Sequence, residues 1–173
     1  IHDFLPPDIG RINSVGRLDM DSEGLIVLTN DGGLAEHLTR PANHVEKEYR
    51  VTLNREPSAE HLDKLLRGVF IPVEPRAAGR RPGRRKARAL RVDWQRGYSL
   101  NVVLDQGIKR QIRLMFGALG YKVKRLRRVR IGGCSLGRLK PGEWRLLPAR
   151  DVRRLAANPR APGAPADPPA HRA

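Results

Sequence analysis

Hydrophobic positions along the chain change period several times, and each period predicts an element. Residues 24–29 (Gly-Leu-Ile-Val-Leu-Thr) form an apolar run rich in β-formers, which predicts a buried strand, and Asn30-Asp31-Gly32 ends it in a turn. Leu34, Ala35 and Leu38 follow at helical spacing. Asp31 can accept bonds from the free amides of a first turn, so a helix is expected over residues 33–39. Tyr49, Val51 and Leu53 alternate with Arg50 and Thr52, the pattern of a half-exposed strand. Ser58 is placed to cap a second helix with Leu62, Leu65 and Leu66 on its inner face. Strands over residues 89–94 and 98–104 would pair across Gln95-Arg96-Gly97.

After Gly107 the period becomes helical again. Ile108, Ile112, Met115, Phe116 and Leu119 fall on one stripe, and Gly120 supplies the C-terminal stop. Arg110 and Arg113, three apart, would share a different face of that helix. Strands are expected over residues 123–131 and, after the Pro141-Gly142 turn, over 143–147. From Asn158 onward Pro, Ala and Gly dominate, and residues 158–173 are expected to be a disordered tail. The pattern predicts an α+β fold, a mostly antiparallel mixed sheet with few flanking helices, forming one domain over residues 1–157.

Composition narrows the partners. The chain carries 34 Lys and Arg against 18 Asp and Glu, a formal charge of +16, and such an excess points to an anionic polymer, nucleic acid before a membrane surface. No apolar run reaches membrane-spanning length and no signal-like segment is visible, so the chain reads as cytoplasmic. Cys134 stands alone, which removes internal disulfides and the zinc-ribbon readings of a basic protein; the five His residues show no ligand spacing. Three Phe, two Trp and three Tyr are too few for a stacking platform, so a base would be recognised by flipping it into one pocket. Two cation-rich stretches stand out. One runs from Lys109 to Arg130 through Arg110, Arg113, Lys122, Lys124, Arg125, Arg127 and Arg128; the other runs from Arg76 to Arg91 and, broken by Gly79, Pro82 and Gly83, reads as a flexible basic loop.

Candidate chemistry starts at Gly16-Arg17-Leu18-Asp19, which sets a carboxylate in a polar loop just ahead of an apolar strand. With Ser22, Gly24 and Leu25, with Lys47-Glu48-Tyr49-Arg50-Val51, and with Gly107 followed by Arg110-Gln111-Ile112-Arg113, it resembles the catalytic domain of the RNA pseudouridine synthases that act on ribosomal RNA. The resemblance covers residues 1–144 and is nearest the branch that modifies the large ribosomal subunit, with occasional action on transfer RNA. It implies the same α+β fold and three catalytic roles. Asp19 matches the nucleophile, Tyr49 the ring stacked on the target base, and Arg113 the cation that keeps the carboxylate ionised. Arg17, Lys47, Lys109, Arg110, Gln111 and Arg128 become candidate substrate-binding residues. The chemistry needs no metal and no cofactor. The partner is ribosomal RNA, with transfer RNA as a possible second substrate, and the chain is expected to be a monomer. The family pattern also implies a strand with a Lys-Pro motif ahead of Ile1, and often a small RNA-binding module before that; a fragment or a shortened reading frame would begin where this sequence does.

A second reading keeps the fold as a non-catalytic RNA-binding or ribosome-assembly protein. Both readings need phosphate contacts, but only an enzyme needs a carboxylate that repels phosphate. A basic DNA-binding protein ranks below both, because no helix-turn-helix or zinc pattern is present.

Overall fold

The computed structural model describes residues 4–74, 83–94 and 96–157. Arg76, Arg80 and Arg81 of the expected basic loop, Gln95 of the expected hairpin turn and the tail 158–173 lie outside the described residues. The chain divides into two compact units, one built from Ile1–Lys47 with Arg128–Ala173 and the other from Glu48–Arg127.

The first unit opens with β1 (Asn13–Val15), β2 (Glu23–Gly24) and β3 (Val27–Thr29), then α1 (Gly32–Thr39). The apolar run expected as one strand is two, because its halves take different partners. β3 pairs antiparallel with β1, Val15 opposite Val27, whereas the Leu25 amide bonds to the Arg128 carbonyl. Asp31 caps α1 as expected, its carboxylate accepting from the Leu34 amide at 3.0 Å.

In the second unit, β4 (Lys47–Leu53) leads into α2 (Ala59–Arg67), whose cap Ser58 accepts from the His61 amide at 3.3 Å. Leu65 is buried and Leu62 half-buried, but Leu66 points outward, since it lies too far round the helix from Leu65 to share its face. β5 (Val69–Val73) and β6 (Gly83–Ala87) form an antiparallel pair, so Arg84, Arg85 and Lys86 of the expected flexible loop are strand residues. β7 (Arg91–Asp93) and β8 (Ser99–Leu104) make the expected hairpin, with Val92 opposite Val102. Then come α3 (Gln111–Ala118) and the start of β9 (Val123–Ile131). Within this unit the sheet order is β9-β4-β8-β7. Its core gathers Val51, Leu65, Ile71, Val102, Met115 and Phe116, each almost fully enclosed.

The chain re-enters the first unit along β9, followed by β10 (Cys134–Ser135) and α4 (Ala149–Ala156). The strand expected over residues 143–147 is absent: the segment is an unpaired, mostly exposed extension, and the alternation of Trp144 and Leu146 with polar residues lacks a partner strand. α4 was not anticipated. Its charges hide a single anchor, Leu155, which is fully buried beside Val15, Val27, Leu38 and Ile131.

Candidate active site

Asp19 belongs to a loop pinned at both ends by burial. Val15 closes β1 in the core and Leu25 follows β2 into it, leaving the residues between them to form the loop. Gly16 turns the chain out at φ +74°, a conformation glycine adopts without a Cβ clash. The Asp19 carbonyl accepts from the Ser22 amide at 2.9 Å, closing a turn that leaves the Met20 side chain wholly exposed and Asp19 half-buried. The carboxylate therefore sits on the shoulder of a fixed turn, reachable from solvent.

The neighbouring cations of this unit do not all face outward. Arg17 is exposed. Arg128, expected as a substrate contact, is only 3% exposed, and its Nε donates to the Leu25 carbonyl at 2.7 Å. Lys47 turns its ammonium to two backbone carbonyls, Val45 at 3.2 Å and Leu38 at 3.5 Å. Arg130 pairs with the buried Glu46 at 3.1 Å and donates to the Gly132 carbonyl at 2.6 Å. The basic stretch of β9 thus divides: Lys124 and Arg125 are exposed, whereas Arg128 is buried and Arg130 half-buried. Charge along a sequence does not say where the counter-groups will lie, and Glu46 comes from far upstream.

In the other unit Tyr49 is half-buried on β4 with its ring against the core. Arg110 precedes α3 in a left-handed conformation, φ +54°, so it does not share a helix face with Arg113 as expected. Gln111 opens the helix and is 3% exposed. Its amide oxygen accepts from the Ile108 amide at 3.3 Å and its nitrogen donates to Gln106 at 3.3 Å, so the group read as a substrate contact is a strut beneath the 107–110 turn. Lys109 reaches Glu74, its ammonium 2.9 Å from the carboxylate on an exposed surface. Arg113 donates through Nη1 to the Val123 carbonyl at 3.0 Å, which ties α3 to the start of β9. Among the described residues no group of three or more His, Cys, Asp or Glu side chains could hold a metal ion.

These elements have counterparts in known proteins. The sequence profile described as RNA pseudouridylate synthase matches residues 5–118, which include the Asp19 loop, Tyr49 and Arg113. The chain belongs to this family. A ribosomal large subunit pseudouridine synthase E from Xanthomonas campestris pv. campestris is 37% identical over 162 residues, covering 86% of this chain and 82% of its own length. A ribosomal small subunit pseudouridine synthase A from Pasteurella multocida is 35% identical, covering 84% of this chain and 60% of its own length. A pseudouridylate synthase crystal structure superposes with a TM-score of 0.76 at 31% identity, covering 89% of this chain and 64% of that one. The chain therefore spans most of the first relative but under two thirds of the other two.

Gly24 does more than complete the motif that contains it. A Cβ on Gly24 would lie 2.2 Å from the Arg128 carbonyl oxygen, so only glycine lets β2 approach β9 this closely. The available signal was the glycine itself, set between a charged loop and an apolar run.

Proposed function

We propose that this protein isomerises a specific uridine of ribosomal RNA to pseudouridine, with Asp19 as nucleophile. The observation that carries the reading is the Asp19 loop: a half-exposed carboxylate on a turn fixed at both ends, in a chain of strong positive charge. The reaction cleaves the bond between ribose C1′ and uracil N1, turns the uracil, and joins C1′ to C5, whose proton then leaves while N1 regains one. Asp19 serves that sequence by attacking the sugar–base unit and later departing, and Tyr49 by stacking on a base taken out of its helix. Arg113 supplies the cation that stabilises the charge of the chemical step. The large subunit is the favoured target, on the motif likeness; the relatives named above act, by name, on either subunit.

Release of tritium from C5-labelled uridine in ribosomal RNA tests the reaction, and mapping pseudouridine in cells with and without the gene names the site. Bound RNA without tritium release from any ribosomal transcript would instead favour the non-catalytic reading. Arg113→Met is expected to slow single-turnover isomerisation by about 100-fold or more, with Arg113→Lys intermediate, because an ammonium lacks the planar two-pronged geometry. Measured at saturating RNA, parent-like rates in Arg113→Met would remove Arg113 from the chemistry.

RNA affinity is expected to fall steeply with salt, since bound phosphates release counterions. Arg84, Arg85 and Lys86 are all exposed on β6. Replacing the three by Gln should lower the slope of log Kd against log salt by about 2 to 3. An unchanged slope would take β6 out of the RNA interface.

A further inference from the structure

We propose that Arg128 is a positioning residue for Asp19, a buried guanidinium that clamps both ends of the loop carrying the carboxylate; the proposal rests on the reading of Asp19 as the nucleophile. Arg128 holds Leu25 from two sides. Its own carbonyl accepts from the Leu25 amide at 2.8 Å, and its Nε donates back to the Leu25 carbonyl at 2.7 Å. Its Nη1 lies 3.5 Å from the Arg17 carbonyl, at the other end of the same loop. Asp19 falls between the two anchored carbonyls, and its own carbonyl accepts from Ser22 within the span.

Two further features separate this arrangement from an ordinary basic side chain. Gly24 sits at φ +112° with no room for a Cβ, which would meet the Arg128 carbonyl oxygen at 2.2 Å and its nitrogen at 2.7 Å. That close approach is what brings the Leu25 carbonyl within reach of Nε. The remaining nitrogen, Nη2, is enclosed and meets no acceptor among the described residues. A phosphate contact would require a guanidinium open to solvent, and at 3% exposure Arg128 is not one. A fixed planar fork with donors on separate carbonyls suits arginine alone, since a lysine ammonium cannot span both at a defined orientation. Its contribution to catalysis lies in geometry, where a displacement of the reacting group by about 1 Å can cost about 100-fold in rate.

The experiment compares the parent with Arg128→Met, Arg128→Lys and Gly24→Ala, using ribosomal RNA at saturating concentration and a temperature well below each melting point. Arg128→Met should slow single-turnover isomerisation by about 100-fold and leave RNA Kd within about twofold, because no phosphate contact is lost. Gly24→Ala should give the same signature through the backbone, and Arg128→Lys should fall between it and the parent. Hydrogen exchange is followed in parallel, without RNA. The amides from Leu18 to Leu25 should exchange about tenfold faster in Arg128→Met, while amides of α1 keep their protection.

A parent-like rate in Arg128→Met overturns the positioning role, and so does unchanged exchange in the loop. A loss of affinity as large as the loss of rate overturns it in favour of a phosphate contact. If the parent forms no pseudouridine on any ribosomal transcript, the catalytic reading has failed, and the exchange data alone still uphold or overturn the clamp on the loop.

Discussion

Replacing Asp19 by Asn or Ala is expected to abolish isomerisation, by roughly four orders of magnitude or more, while leaving RNA affinity nearly unchanged. The turn carries a second carboxylate, Asp21, but Asp21 is exposed whereas Asp19 is half-buried; Met20 is apolar and Ser22 has its hydroxyl enclosed, so the motif's Asp19 is the group assigned to attack the sugar–base unit. In binding, by contrast, a carboxylate repels phosphate, so removing it costs the complex nothing and can strengthen it slightly. Asn keeps the size but has neither the charge nor the nucleophilicity. Tritium release from C5-labelled RNA measures the chemistry and filter binding measures the affinity, each on the same preparations. Full activity in Asp19→Ala would end the assignment of the nucleophile, and a parallel collapse of affinity would show that the loop had been unfolded rather than disarmed.

Gly132→Ala is expected to destabilise the first unit by about 3 kcal/mol or more, from a left-handed backbone and a collision combined. Gly132 has φ +51°, and a Cβ there would lie 2.1 Å from the Leu155 carbonyl oxygen. That oxygen is backbone, so relief requires moving α4, and α4 is anchored by a Leu155 side chain that is fully buried. Gly137 provides the control. It has φ +57° with nothing within 4 Å of the added Cβ, so Gly137→Ala carries the conformational cost alone, about 1 kcal/mol. Thermal unfolding of the three proteins should place Gly132→Ala about 10 °C below the parent and Gly137→Ala only a few degrees below it. Equal shifts in the two variants would show that α4 does not press on Gly132.

The contrast between those two glycines also marks the boundary between what a sequence carries and what it lacks. Helices with one apolar stripe were legible because the information is local: Asp31 and Ser58 cap the helices they were expected to cap, and Ile112, Met115 and Phe116 bury together as their spacing demands. The span of β9 was equally legible, with Val123, Leu126, Val129 and Ile131 recurring among the cations and the strand forming over the residues expected, 123–131. The candidate site was legible as motif, since Asp19, Tyr49 and Arg113 each stand in a short pattern that the family profile covers.

Pairing and burial were not, because both depend on residues far away in the chain. The alternation at 143–147 looked like a strand yet found no partner, whereas β5 and β6 found each other across a stretch that looked like a flexible loop. α4 is too charged to announce itself, and only the pocket around Leu155 makes it an element of the core. The same holds for the cations. By itself the sequence determined the sign and size of the charge, the local elements and the motifs that carry chemistry. The tertiary structure decided which arginines face solvent and which, like Arg128 at the Leu25 carbonyl and Arg130 at Glu46, are drawn inside, because a guanidinium is buried only where folding brings acceptors to meet it.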